Sequence, residues 1–211
     1  MPTKAIQEAV WTALPDDAEP YELARRRAFL QAHVEPGQAV LDLGCGAGAF
    51  TGLLAGWGAA PIGVDIAEEA LRRARARHPT LDFRLAHADG ALPLPEASID
   101  VCWASEVLAH VPDTAGLLGE VRRVLRPRGA LLVTTPDHGT LRRVALALRG
   151  FEQAFDPRGA QLRFYTARSL RELLEDFGFQ IERMEGAGGA PLLRRLLMAR
   201  ARRAAPSIAR G

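Results

Sequence analysis

Apolar and polar positions along this chain keep to two periods, one of 3.6 residues and one of short uninterrupted runs. Ile6, Ala9, Val10, Ala13 and Leu14 recur at helical spacing, and Pro15-Asp16-Asp17 stops that helix. A second helical pattern covers about residues 21–33 and carries Arg25, Arg26 and Arg27. Pro36-Gly37 turns into a compact apolar run, residues 40–43, which reads as a buried strand. Phe50, Leu53, Leu54 and Trp57 restore the helical period. Further strands are expected at 62–65, 81–86, 99–103 and 130–135, with helices at about 67–78 and 114–125 between them and a turn at Arg126-Pro127-Arg128-Gly129. Strand and helix in regular alternation predict an α/β chain, a doubly wound and mostly parallel sheet of six or seven strands with helices on both faces and an N-terminal helical cap.

Past Pro136 the alternation loosens. Leu141, Val144, Ala145 and Leu148 place an amphipathic helix within residues 138–150, and a loop at 151–163 follows with Phe151 and Phe155. A strand is expected at 179–184. Gly186-Ala187-Gly188-Gly189 then leads into residues 191–197, read as an amphipathic helix with a basic face, placed to cover a sheet edge or touch an anionic membrane surface. The tail, 200–211, carries no strong strand, so the sheet has six strands unless Ser207-Ile208-Ala209 adds a stub. The division expected is one domain over 1–211: cap 1–34, core 35–136, insertion 137–165 and C-terminal part 166–211.

The chemistry concentrates just after the first strand. Gly44, Gly46 and Gly48 stand at every second position before the helix that begins near Ala47. A strand turning through glycines into a helix offers bare backbone N–H groups and a positive helix end to a small, partly anionic ligand. Two ligands fit the spacing. Gly44, Gly46 and Ala49 satisfy a dinucleotide fingerprint, while Gly44, Gly46 and Gly48 satisfy the loop of enzymes that use S-adenosylmethionine (SAM). Asp65 ends the second strand, where a ribose diol could bond to it, although it could also cap the helix starting at Ala67. Asp42 lies inside the first strand, where a carboxylate needs a partner such as a methionine ammonium or the loop N–H groups. Asp89, after the third strand, offers an acid to the exocyclic amine of adenine. Lys4 is the only lysine in the chain, which removes a Tyr-x-x-x-Lys pair and a Walker lysine. These features together favour SAM.

VLDLGCGAGAF, GVDIAEEAL, HADGALPLPEASIDVCWASEVLAHVPD and VRRVLRPRGALLVTTP resemble, in that order, the successive motifs of class I SAM-dependent methyltransferases, in particular the small-molecule group called methyltransferase type 11. The resemblance spans about residues 35–136 and is specific for the cofactor rather than the acceptor. It implies a Rossmann-like fold with SAM as cofactor and S-adenosylhomocysteine as product. Cofactor-binding positions are implied at Asp42, Gly44, Cys45, Gly46, Asp65, Ile66, Asp89, Gly90 and Ala104. His110, after the fourth strand, is the first candidate for a general base and His138 the second; His110 could equally shape its loop. The insertion would form a wall of the acceptor pocket, or else a peripheral helix or dimer contact. One of the three arginines at 25–27 could pair with the methionine carboxylate.

Composition narrows the rest. The 211 residues are 48% hydrophobic and 25% charged, ordinary for one globular domain. A formal charge of +2 and scattered basic residues disfavour nucleic acid as acceptor. The start lacks the apolar core of a signal peptide, no run reaches membrane-spanning length, and two cysteines make no disulfide framework, so a cytoplasmic location is expected. Abundant Arg, Ala, Leu, Gly and Pro suggest a GC-rich bacterial source. Glu106 with either histidine is not a metal signature, so no metal is expected. A small-molecule acceptor with an oxygen or nitrogen nucleophile is the expected partner. A non-catalytic SAM or adenosylhomocysteine binder, and a nucleotide-dependent oxidoreductase, remain the other readings.

Overall fold

Strands form where apolar runs can be buried on both faces, and helices where one face is apolar. In the computed structural model, which describes residues 2–86, 90–154, 156, 159–189 and 194–204, the elements follow one another as α1 (Pro2–Ala13), α2 (Leu23–Gln31), β1 (Ala39–Leu43), α3 (Ala49–Gly56), β2 (Ala60–Asp65), α4 (Glu68–Arg77), β3 (Asp82–Leu85), β4 (Ile99–Ser105), α5 (Thr114–Val124), β5 (Leu125–Pro136), α6 (Thr140–Leu148), α7 (Phe151–Ala154), α8 (Ala167–Asp176), β6 (Phe179–Ala187) and β7 (Leu196–Arg203). The strands make one seven-stranded sheet in the order β3-β2-β1-β4-β5-β7-β6. β1 to β5 run parallel, whereas β7 is antiparallel to both β5 and β6. The doubly wound α/β expectation holds, with seven strands. Among the described residues no helix is long and apolar enough to cross a membrane.

Because side chains alternate along a strand, β1 divides its residues between two layers. Val40 joins Phe29 and Leu30 of α2, Phe50 and Leu54 of α3, Trp103 and Leu132 in one cluster. Leu41 and Leu43 join Leu117, Leu118 and Val121 of α5 and Leu170 and Leu174 of α8 in the other. The strand order reverses between β1 and β4. A crevice opens at such a reversal beyond the carboxyl ends of the strands, and ligands of open α/β sheets bind there.

Two sequence expectations change here. The expected turn at 126–129 belongs to β5 as a bulge: Ile99 pairs with Leu125 and Val101 with Ala130, so four residues are looped out. The helix expected over 191–197 does not hold for the described residues 194–197. Residues 190–193 lie outside the described residues, but Leu196 and Leu197 begin β7, which pairs with Pro136 and Thr135 on one side and with Ala187 and Gly186 on the other. A run such as Leu-Leu-Met-Ala-Arg-Ala-Arg-Arg fits either period. Two unpaired strand edges decide between them, because each carries backbone donors and acceptors that a strand satisfies and a helix does not. The expected stub at 207–209 also lies outside the described residues.

Ala199 is fully buried in β7, while Arg200 turns outward to the carboxylate of Glu182 at 2.8 Å. Ala199→Asp is expected to cost at least about 3 kcal/mol in urea unfolding, because it buries an unpaired charge. Arg200→Ala should cost less than about 1 kcal/mol. Equal effects at the two neighbouring positions would contradict the strand.

Candidate active site

The glycine turn after β1 is held from inside the sheet. Gly44 N and Cys45 N both donate to the Val64 carbonyl, at 2.7 and 3.1 Å, and Gly48 N donates to the Cys45 carbonyl at 2.9 Å. Gly46 N donates to Asp65 Oδ2 at 2.9 Å, and the other oxygen of Asp65 accepts from Ala67 N at 2.9 Å. These loop N–H groups are therefore not bare, contrary to expectation. They fix the loop's shape, and its Cα surface is covered as well, since a Cβ on Gly44 would lie 2.5 Å from Val107 Cγ2. Gly46 has φ 53°, and a Cβ there would lie 2.5 Å from Trp11 Cζ2, so both backbone conformation and close approach require glycine.

Trp11 brings α1 across the loop. The helix is tied to α4 by polar contacts: Glu8 accepts from Glu68 N and Glu69 N at 2.6 and 3.1 Å, and Lys4 Nζ donates to Glu68 at 2.5 Å. A carboxylate at the first turn of a helix is stabilised by its free N–H groups and positive end. Arg73 and Arg77 of α4 hold the chain just past α1, donating to the carbonyls of Leu14 and Asp16 at 3.0 and 2.6 Å. Sequence reading missed Trp11 because nothing local marks an aromatic residue that closes over a distant turn.

Beneath the loop, on the α2/α3 side of the sheet, lies a buried polar layer. Asp42 is 1% exposed and accepts from Thr51 Oγ1 of α3 at 2.6 Å. Burial raises its pKa to about 7, although the Thr51 bond lowers it. Arg26, 5% exposed, donates through Nε and Nη2 to Ser105 Oγ, at 2.8 and 2.5 Å, and through Nη1 to the Tyr21 carbonyl at 2.7 Å. Its guanidinium also sits 5.0 Å from the centre of the Phe50 ring, within cation–π range. Ser105 contacts Thr134 Oγ1 at 2.8 Å, and Thr134 donates to Glu106 Oε1 at 3.0 Å. Burial raises the pKa of Glu106, opposed by the positive charge of Arg26, and lowers that of Arg26, opposed by Glu106 and Asp42. Glu106 holds φ 61°, a conformation that costs a residue with a side chain and clusters at functional sites. Of the three arginines at 25–27, the structure buries Arg26 alone; Arg25 pairs with Glu22 and Arg27 is exposed.

The other expected positions divide. Asp65 is buried at the tip of β2, Ile66 is half-buried after it, and Gly90 has open space where a Cβ would project. Asp89 and His87 lie outside the described residues. The side chains of Cys45 and Ala104 point into the core, Cys45 with Leu71, Ala74 and Phe83, and Ala104 with Leu43 and Val133. His110 is half-buried, and its Nδ1 meets the Ala160 carbonyl at 2.8 Å. A carbonyl only accepts, so Nδ1 carries the proton and Nε2 of the neutral ring is the basic nitrogen. His138 is more deeply buried, edge-on to Phe164, and burial lowers its pKa. Among the described residues no group of His, Cys, Asp and Glu could hold a metal.

A doubly wound sheet, a glycine turn at its reversal and an acid ending the second strand define a nucleotide-type cofactor site. A methyltransferase domain family, a close variant of the type 11 group, matches residues 16–183. A probable S-adenosylmethionine-dependent methyltransferase of Mycolicibacterium smegmatis is 38% identical over 181 residues, 82% of this chain and 66% of that protein. A ubiquinone biosynthesis O-methyltransferase of Methylococcus capsulatus is 31% identical, over 79% of this chain and 74% of that one. The crystal structure of an S-adenosylmethionine-dependent methyltransferase from Mesorhizobium loti superposes with a TM-score of 0.66 at 24% identity, covering 86% and 97% of the two chains, which bears on the fold. The chain belongs to the class I SAM-dependent methyltransferases, and SAM is the cofactor of that family.

Asp42 gives the site a pH signature. Its pKa is raised on folding, so the folded chain holds a proton that the unfolded chain releases near the ordinary value of 3.8. The stabilisation is full below that value and is lost as pH rises to about 7. Asp42→Asn should remove a fall in stability of a few kcal/mol over this window, measured by urea unfolding across pH. A profile unchanged by the substitution would show that Asp42 is ionised throughout.

Proposed function

We propose that the chain transfers a methyl group from SAM to a small-molecule acceptor through an oxygen or nitrogen nucleophile. The observation that carries the reading is Asp65 at the end of β2, bonded to both the glycine loop and the start of α4. Its oxygens accept from Gly46 N and Ala67 N, and the Ile66 backbone also bonds to it. A carboxylate can accept about four hydrogen bonds, so a lone pair remains for a ribose hydroxyl. The open space at Gly90 and the half-buried Ile66 suit a flat base beside the ribose. In this reading Gly46 and Gly44 would hold the methionine end, Asp89 with Gly90 would bind the adenine edge, and Arg26 would balance charge below the loop. The expected backbone roles of Cys45 and Ala104, and the support from Asp42 beneath, belong to the same reading.

SAM, when bound, supplies a methyl group made electrophilic by a sulfonium centre. The chain's share is alignment, exclusion of water and, for a hydroxyl acceptor, removal of a proton. Nε2 of His110 can take that proton, because the Ala160 carbonyl fixes the tautomer. Residues 159–165 lean on the same loop: Leu162 N and Arg163 N donate to the Ala109 carbonyl at 2.7 and 3.1 Å, and Tyr165 Oη to the Leu108 carbonyl at 3.3 Å. They support the insertion as a wall of the acceptor site. A ubiquinone biosynthesis O-methyltransferase among the relatives favours a small-molecule acceptor over nucleic acid.

Titration calorimetry should show binding of SAM and S-adenosylhomocysteine but not NAD, weakened at least about 10-fold in Asp65→Ala. Binding of NAD alone would overturn the cofactor assignment. With an active acceptor found from a phenol and amine panel, His110→Ala should lower kcat by about 100-fold with SAM affinity unchanged. An unchanged kcat would leave His110 as a loop-shaping residue.

A further inference from the structure

The amphipathic helix α6 sits the opposite way round from an ordinary surface helix. Its half-buried positions are Arg142 and Leu146, and none of its residues is buried. Arg142 Nη1 anchors it to the protein by donating to the carbonyls of Asp137 and Arg195, at 2.9 and 3.3 Å. Leu141, Val144, Ala145 and Leu148 face away from the body, and Leu148 is 77% exposed. Phe151, opening α7, is exposed as well. An apolar stripe at i, i+3, i+4 and i+7 normally seeks the core, so one turned outward marks a surface that something else covers.

Charge identifies the occupant. Arg143, on the polar side of the helix, and Arg149, at its C-cap, are both exposed, and no acidic residue occurs between Asp137 and Glu152. A helix with outward leucines whose only charged residues are arginines matches the interface of an anionic bilayer, where the leucines enter the acyl boundary and the guanidinium groups meet phosphates. A second copy of the chain fits worse. A two-fold contact would bring the same arginines face to face with no acid on the stripe to offset them. We propose that α6, with Phe151, docks this chain on an anionic lipid surface. α6 leaves β5 at the carboxyl end of the sheet, so docking sets the crevice mouth beside the bilayer. The proposal stands apart from the methyl-transfer reading and needs no bound cofactor.

The test is co-sedimentation of the full chain with phosphatidylcholine vesicles, with and without phosphatidylglycerol. Wild type should bind the phosphatidylglycerol vesicles at least about 10-fold more tightly than the neutral ones, and added salt should weaken the binding. Val144→Glu with Leu148→Glu, and separately Arg143→Glu with Arg149→Glu, should each reduce it about 10-fold while melting temperature and SAM titration stay at wild-type values. All four positions are exposed, and either pair suffices if the other fails to fold. No binding to phosphatidylglycerol vesicles, equal binding to neutral ones, or binding that survives both pairs would overturn the proposal. So would light scattering that shows a dimer broken by Leu148→Glu, which would give the face to a second copy. Failure of SAM titration in a vesicle-binding chain would count against the proposed function alone.

Discussion

The whole site hangs on the carboxylate of Asp65. It ends β2 and ties two backbone segments together, Gly46 in the turn after β1 and Ala67 before α4. With the Val64 carbonyl holding Gly44 and Cys45, a turn whose φ angles suit glycine is set by contacts from the neighbouring strand. Hydrogen bonds to a buried carboxylate are stronger than neutral ones, and losing one partner leaves the other without compensation. Loop, second strand and fourth helix therefore move as one piece. In the proposed reading, a ligand bonding to Asp65 would meet a loop already arranged.

Below that surface the protein tolerates an unusual amount of buried polarity. Asp42, Thr51, Arg26, Ser105, Thr134 and Glu106 occupy the α2/α3 side of the sheet where the strands end, and each has a described partner or an opposite charge nearby. A layer of this kind is costly when half satisfied and specific when complete. It joins the N-terminal cap to the sheet through Arg26 rather than through apolar contact alone. The cap's first helix repeats the theme, since α1 reaches the glycine turn through Trp11 yet is tied to α4 by Glu8 and Lys4. Polar ties of this kind can be exchanged with water, whereas the two apolar clusters on either side of the sheet cannot.

The insertion after β5 follows different rules from the core. Its loop leans on residues 108–110 and fixes the His110 ring, while its helix turns apolar residues outward. One segment thus packs on the loop after β4 and, among the described residues, leaves an apolar helix face exposed next to it. The core motifs specify a cofactor, and the insertion is where chains of this fold can differ in what they act on.

The sequence alone determined what depends on near neighbours. Alternating periods placed the strands and helices of the first two thirds, and the glycine turn with acids at strand ends pointed to the cofactor family. Those signals are local, because a positive φ, a strand-to-helix turn or a capped helix is decided within a few residues. Tertiary structure decided whatever needed a distant partner. It buried Arg26 and left Arg25 and Arg27 outside, gave Asp42 its Thr51, used the loop N–H groups that the sequence left bare, and laid Trp11 over Gly46. It also made a strand of 196–203, because the edges of β5 and β6 supplied hydrogen bonds that no local period encodes. The amphipathic pattern of 140–148 was plain in the sequence, but its outward direction was not: a period fixes which residues share a face, and only the packed protein fixes where that face points.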